Sequence, residues 1–592
     1  MKKKVLLEKI EYIASMTAAD SLRCCEGIDF IVFGEGENTL VDLIKAKVGN
    51  ETNYRDIPGL AFRHHDDIVI NKPRSLIKNL DDSPFPDFSS LDIKAYDIMA
   101  KSGRPIVPLA EPGRGCPFNC IYCMTSVMWE RKCRMKSPER VIREMDAIYS
   151  IFSNNTFFFT HDNINLDKNY LFELCTLLKK RNYKWSCYGH CKFMDDDVAR
   201  EMKQAGCYGI FFGVESASTS TQSVIRKNLK MKDVNNAINH CIDYGIRFDT
   251  AYMIGFPDEN EKDIQQSIVA CIHDAARNMG LRAPILFLVE PRPGSDLLKM
   301  TRNNLISPVN NRKMKFHKGL LKGKDRKRAM DMVLEYPDIF SMFYMAKPKH
   351  LTVDLVMNLH DLFGYLQIHF PRTTHMIFEV CGFTPIDLLK QYTSSGCSIG
   401  TSSSRHIDTK KFFLKIILAR NPGKIMSRIL EELLEFEYML CRARFDSWMH
   451  LDNEDLIHTD DLRDVEPSSI PRNVKLFRAP YIKYRTFSID IIQLLESIVK
   501  DDIRAEIDNI PTIVAFYHRI RKYNKVANVL RIDKKTKSFL NDIKKPVSVS
   551  SLLSPTSVTP DAREGLLDRI SLLQDCGLLV CGRSAKFKRA SF

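Results

Sequence analysis

The chain reads as an α/β protein, and three observations predict this. Between residues 104 and 300 short β-rich runs alternate with helical stretches, the pattern of a parallel sheet or barrel. A cysteine-rich loop follows the first of those runs. Later runs end in polar clusters, THDNINLD at 160–167, FFGVESAS at 211–218 and YMIGFPDE at 252–259. In parallel barrels, sites gather at the C-terminal ends of strands.

Composition bounds the rest. A chain of 592 residues exceeds one core and predicts three or four domains. Its hydrophobic content of 44% is that of a globular protein. The start, MKKKVLLEKIEYIASM, is basic, but Glu8, Lys9 and Glu11 interrupt it, so it does not read as a signal peptide. No apolar run is long enough to span a bilayer, so no membrane partner is expected. The 17 cysteines are scattered, not framed for disulfides, which predicts a reducing, cytoplasmic setting. The net charge of +14 permits an anionic partner without demanding one.

In chain order, residues 28–44 predict a strand, a turn at Gly34-Glu35-Gly36-Glu37 and a helix with apolar positions at Leu40, Leu43 and Ile44. Residues 1–50 are assigned to this α/β segment and 51–103 to a linker. Six strands follow: Pro105–Leu109, Thr156–Thr160, Lys184–Tyr188, Tyr208–Val214, Arg247–Ile254 and Ala283–Leu288. They delimit a core domain at 104–310. Residues 311–470 read as a basic linker and a helical region. The run RKMKFHKGLLKGKDRKR at 312–328 is read as solvated linker, with a nucleic-acid patch as the alternative. Asp408 is the expected N-cap of TKKFFLKIILAR, and EELLEFEYMLCRARF at 431–445 has helical spacing. Residues 471–592 carry strands at Thr512–Tyr517 and Val526–Ile532, a helix at Lys534–Ile543, and a later helix capped at Gly577. That order resembles winged-helix and peptide-carrier domains.

The densest chemistry is CPFNCIYC, which spaces Cys116, Cys120 and Cys123 as C-x3-C-x2-C. Cysteine thiolates are the usual ligands of iron–sulfur clusters. Three of them leave one iron of a cubane without a protein ligand, the open position a catalytic metal site needs. No second C-x2-C or H-x3-H stands in the flanks to complete a zinc site. Cys187 and Cys191, in SCYGHC, would lie about 13 Å apart on a strand and read as core thiols. Cys133 reads as a buried thiol, with a radical-relay role as the alternative.

At these residues the chain resembles the radical SAM superfamily. Cys116, Cys120 and Cys123, with Pro117 and Tyr122, match its cluster motif. The resemblance implies a partial (βα)6 TIM-like barrel. It implies a 4Fe-4S cluster whose open iron chelates S-adenosylmethionine (SAM) and whose electron releases a 5′-deoxyadenosyl radical. It also implies a reductant protein of flavodoxin or ferredoxin type. Tyr122 is expected to support adenine, Asp162 to meet the SAM amino group, Gly213 and Glu215 to contact SAM, and Ile254 to pack on adenine.

The order of HDN, AGCYGIFFGVESAS, Gln222 with Lys227, IGFPDE and EPRPGS is similar to the cobalamin-associated, methylase-like branch. Residues 28–88 look like the end of a cobalamin domain and its connection. Only about thirty residues precede the Gly34 turn, against the hundred or more of a doubly wound domain. The isolated chain is therefore expected not to hold cobalamin. The expected substrate is a peptide, gripped by the C-terminal domain, or a natural-product precursor. The alternatives are an RNA-modifying enzyme of the same superfamily and a non-catalytic cluster-binding protein.

Overall fold

Near the N-terminus, apolar runs pair at once into a small antiparallel sheet. β1 (Phe30–Val32) lies beside β2 (Leu60–His64), which turns back into β3 (Asp67–Ile70). The helix Glu37–Val48 packs on it through Leu43 and Ala46, against Ile57, Leu60 and Phe62. This sheet spans the boundary drawn at residue 50, because strands from both sides supply its backbone hydrogen bonds. Part of the stretch read as linker, Leu60–His64 and Asp67–Ile70, is therefore sheet.

The computed structural model describes residues 10–88, 107–278, 285–307, 324–397 and 405–445, apart from positions 52 and 66, and separate stretches between 449 and 589. Its contacts divide the chain into two units. The first is Met1–Ser89, Val107–Asp274 and Arg282–Gly364; the second is Ser90–Ile106, Ala275–Leu281 and Tyr365–Phe592.

The first unit is α/β with a parallel sheet at its centre. β4 (Leu109–Ala110) opens it, and the short hairpin β5 (Gly113–Arg114) and β6 (Arg134–Met135) flanks the cysteine loop. Then come β7 (Thr156–Phe159), β8 (Lys184–Gly189), β9 (Cys207–Glu215), β10 (Arg247–Ile254) and β11 (Ile285–Leu288). The sheet order is β11-β10-β9-β8-β7-β4, all neighbours parallel. Chain order and spatial order coincide because each strand returns through a helix. Five of the six predicted strands are found to within two residues. The first pairs only at Leu109–Ala110, and its residues 105–106, like 283–284 of the last, lie outside the described set.

Local signals set the helices. Ser137 accepts from the Arg140 N–H and Pro138 stands at the first turn of Pro138–Phe152. Asp167 caps Lys168–Leu178, and Asp195 caps Asp196–Gln204. Trp185, Phe157, Phe159, Phe212 and Tyr252 are fully buried along the sheet. The Phe159 and Trp185 rings stack 4.9 Å apart. Burial of such rings dominates the core energy.

In the second unit, Glu437 accepts from the Arg372 and Thr373 N–H groups, which caps the helix Pro371–Cys381. Arg405–Arg420 begins earlier than read, so Asp408 lies in its first turn and is not its N-cap. Residues 431–445 form the end of Lys424–Phe445. Ile482–Phe487, Thr512–Arg521 and Asn524–Arg531 make an antiparallel sheet, with a helix Lys534–Asp542 after it. Most of the basic run at 312–328, and the cap at Gly577, lie outside the described residues.

Candidate active site

Backbone geometry places the cysteine loop at the C-terminal end of β4. Gly115 has φ +91, and a Cβ there would stand 2.1 Å from the Lys132 carbonyl oxygen, so only glycine fits. Farther on, the Ile121 N–H donates to the Ile225 carbonyl at 3.2 Å, and its own carbonyl accepts from Leu297 at 2.8 Å. The loop is thus held from two later segments. Cys116, Cys120 and Cys123 are unpaired thiols, each partly buried. Burial pushes the Cys116 thiol up to about 12, aided by Asp162 and the other two cysteines. Burial also raises Cys120, against the pull of the Lys227 ammonium. Buried thiols such as Cys116 and Cys120 resist becoming anions unless positive charge joins them. Cluster iron supplies that charge, so the donor set fits an iron–sulfur cluster.

The end of β7 closes one side. The Asn163 side chain donates to Cys116 Sγ at 3.2 Å. Asp162 is bound by the Gly115 backbone and Thr125, yet burial raises it to about 6. His161 Nδ1 accepts from the Asn163 N–H at 3.2 Å, and its Nε2 lies 3.5 Å from Cys133 Sγ. Burial lowers His161 to about 4, so the ring is neutral. Cys133 is half-buried beside it, a thiol raised chiefly by burial.

The end of β9 closes the other side. The β9–β10 register shifts at Val214, since Ala251 pairs with Gly213 but Tyr252 with Glu215. This bulge turns Glu215 to φ +74. Glu215 Oε1 meets Lys227 Nζ at 3.1 Å, both side chains nearly buried, and Lys227 Nζ lies 3.4 Å from the Tyr122 hydroxyl. Burial opposes the Lys227 charge, but Glu215 and Cys120 outweigh it and raise its pKa. A Cβ on Gly213 would stand 2.3 Å from Glu215 Oε1 and 3.1 Å from Lys227 Nζ. Glycine at 213 therefore makes room for the pair.

Seven of the eight predicted residues meet here: Cys116, Cys120, Cys123, Tyr122, Asp162, Gly213 and Glu215. Ile254 departs. It lies on the same face of β10 as Tyr252, whose hydroxyl bonds Asp274 of the covering helix. Met253 takes the other face and packs in the cluster of Ile121, Phe256 and Tyr122. Lys227 and Asn163 were missing from the sequence-derived set. Both stand in stretches that carry the family resemblance, Lys227 with Gln222 and Asn163 in HDN, without a pattern that assigns them to the site. Cys187 and Cys191 are core thiols, 1% and 3% exposed.

Residues 110–270 match the family described as the radical SAM superfamily. Over 296 residues the chain is 28% identical to an uncharacterized methyltransferase of Pyrococcus horikoshii, covering 50% of this chain and 62% of that protein. Over 318 residues it is 25% identical to cytidylyl-2-hydroxyethylphosphonate methyltransferase of Streptomyces wedmorensis, covering 48% and 58%. The chain thus spans less than two thirds of the length of these curated relatives. Among solved structures, TsrM of Kitasatospora setae with cobalamin and a [4Fe-4S] cluster bound aligns with TM-score 0.45 and 16% identity, over 69% of this chain and 80% of that one. OxsB with aqua-cobalamin bound aligns with TM-score 0.47 and 14% identity, over 72% and 65%. Residues 110–270 are a radical SAM domain, whose cofactors are a 4Fe-4S cluster and SAM.

Proposed function

We propose that this chain is an enzyme that reductively cleaves SAM and modifies an unreactive carbon of a peptide or natural-product substrate, by methylation or other radical chemistry. One observation carries the reading. Cys116, Cys120 and Cys123 lie close enough to raise one another's pKa, and Cys120 feels both members of the nearly buried Glu215–Lys227 pair, beside which Gly213 leaves no room for a side chain. When bound, the cluster supplies one electron to the sulfonium of SAM. Cys116, Cys120 and Cys123 hold the cluster, and Asn163 donates to the first thiolate. Tyr122, Asp162, Gly213, Glu215 and Lys227 line the SAM site, and Met253 takes the adenine contact expected of Ile254. The relatives named as methyltransferases support methyl transfer as the outcome.

The remaining assignments belong to the same reading. The six parallel strands make the partial barrel of this superfamily. The electron donor is a flavodoxin or ferredoxin type protein, and the setting is the cytoplasm. Among the described residues no helix is long and apolar enough to cross a membrane. The antiparallel sheet of Ile482–Phe487, Thr512–Arg521 and Asn524–Arg531, whose outer strands pair with no further strand among the described residues, supports a winged-helix-like domain that takes a peptide by strand addition. The RNA-modifying and non-catalytic readings gain no such support.

Anaerobic reconstitution followed by dithionite and SAM tests the proposal. Release of 5′-deoxyadenosine and methionine is the expected result. A protein that holds about four irons per chain yet cleaves no SAM would overturn it.

A further inference from the structure

His190 stands at the C-terminal end of β8 and is 4% exposed. Its position is set from every side. Its backbone N–H donates to the Asn165 side-chain oxygen at 2.9 Å, and its carbonyl accepts from the Asn165 amide at 3.0 Å. Asn165 is itself 1% exposed. A Cβ on the preceding Gly189 would stand 2.6 Å from Ile210 Cδ1 and 3.1 Å from that same Asn165 oxygen, so a side chain there would crowd the clamp. The ring stacks on Phe118 of the cysteine loop, centroids 4.9 Å apart, and packs on Phe193 at 5.4 Å.

The ring nitrogens are equally constrained. Nδ1 accepts from the Lys192 N–H at 3.3 Å, so in the neutral ring the proton is on Nε2. Burial, with Lys227 and Lys192 nearby, lowers the pKa to about 3 and keeps the ring neutral. Among the described residues, Nε2 is a buried donor with no acceptor. Buried donors are nearly always paired, and an orphan is costly. A clamp this complete around an orphan donor points to a bound acceptor.

The chemistry of that acceptor follows from its neighbour. Lys227 has three N–H donors, of which Glu215 and Tyr122 engage two. Among the described residues, its third proton and the His190 Nε2–H have no acceptor. Two donors, one cationic, suit a carboxylate with its two oxygens. Both SAM and an amino-acid substrate carry one.

We propose that His190 is a positioning residue whose Nε2–H, together with Lys227, receives the carboxylate of SAM. This rests on the functional reading above. His190 holds the carboxylate in place and takes no part in proton or electron transfer.

Equilibrium binding to the reconstituted, unreduced full-length protein tests this, with SAM and decarboxylated SAM as probes. His190→Ala is expected to weaken SAM by about tenfold, the loss of one hydrogen bond to a charged group. It should leave decarboxylated SAM and the iron content unchanged. His190→Gln, which keeps a donor, should recover most of the loss. Equal weakening of both probes means a structural role and overturns the proposal. Unchanged binding of both assigns the donor to a substrate carboxylate, or to none, and also overturns it. If the parent protein binds no SAM, the functional reading fails instead, which the parent isotherm reveals before any variant is read.

Discussion

Glu35 Oε1 accepts from Arg114 Nη1 at 3.0 Å, which joins the Gly-Glu-Gly-Glu turn to the strand that leads into Cys116. Arg134 of β6 reaches the same carboxylate at 2.9 Å, and the Ile77 N–H donates to it as well. Glu35 is 2% exposed at its side chain. Arg114 also pairs with Glu37 at 2.7 Å and Glu111 at 3.0 Å. The acidic turn thus braces the hairpin on either side of the cysteine loop.

Glu35→Ala would leave Arg114 and Arg134 without their most buried partner. Breaking such a pair costs about 3–5 kcal/mol. Thermal unfolding should show a clear drop in Tm, and the reconstituted variant should lose iron faster to a chelator. An unchanged Tm would mean that the arginines re-pair with Glu37 and Glu111.

Substituting any one of Cys116, Cys120 and Cys123 by Ala should abolish the cluster, because a methyl group cannot ligate iron. Cys191→Ala should keep it. Iron and sulfide assays, with the absorbance near 400 nm, separate the two outcomes.

Lys227→Met should disturb the site more than Glu215→Gln. The first leaves a nearly buried carboxylate without its cation, while the second leaves a lysine that Tyr122 still meets. Gly213→Ala should behave like the stronger of the two, since its methyl would displace Glu215. In SAM-binding isotherms the expected order of loss is Lys227→Met and Gly213→Ala, then Glu215→Gln. Parent-like affinity in all three would remove the pair from the SAM site.

Glu259 predicts a pH effect. Its Oε2 accepts from the Gly255 and Phe256 N–H groups at 2.7 and 3.0 Å, yet burial raises its pKa to about 8. A carboxyl whose folded value exceeds its unfolded one binds more protons when folded. Stability therefore falls as pH rises from about 4.5 toward 8. Glu259→Gln removes that slope. The Tm difference between variant and parent should move in favour of the variant from pH 5 to pH 8. A constant difference would mean that Glu259 is already ionised in the fold.

Local pattern made much of this molecule readable. β-branched and aromatic runs bounded by turn residues marked five parallel strands, because strand period and helix caps are written in adjacent residues. The thiol spacing announced the metal chemistry for the same reason. A run of apolar residues such as 252–254 does not say which alternate side chain faces the site. The partner of Tyr252 in the covering helix decided that. The turn at Gly34 offered a family likeness but no hint of Arg114 and Arg134, which stand 79 and 99 residues away. Lys227 and Asn163 stood in stretches that carried the resemblance, but nothing there told of their contacts with Glu215 and Cys116, nor of the orphan nitrogen of His190. By itself the sequence determined the parallel strands and the spacing of the three thiols, both properties of neighbouring residues. Only the tertiary structure decided which distant charges share a buried space, because desolvation and pairing depend on where the chain returns.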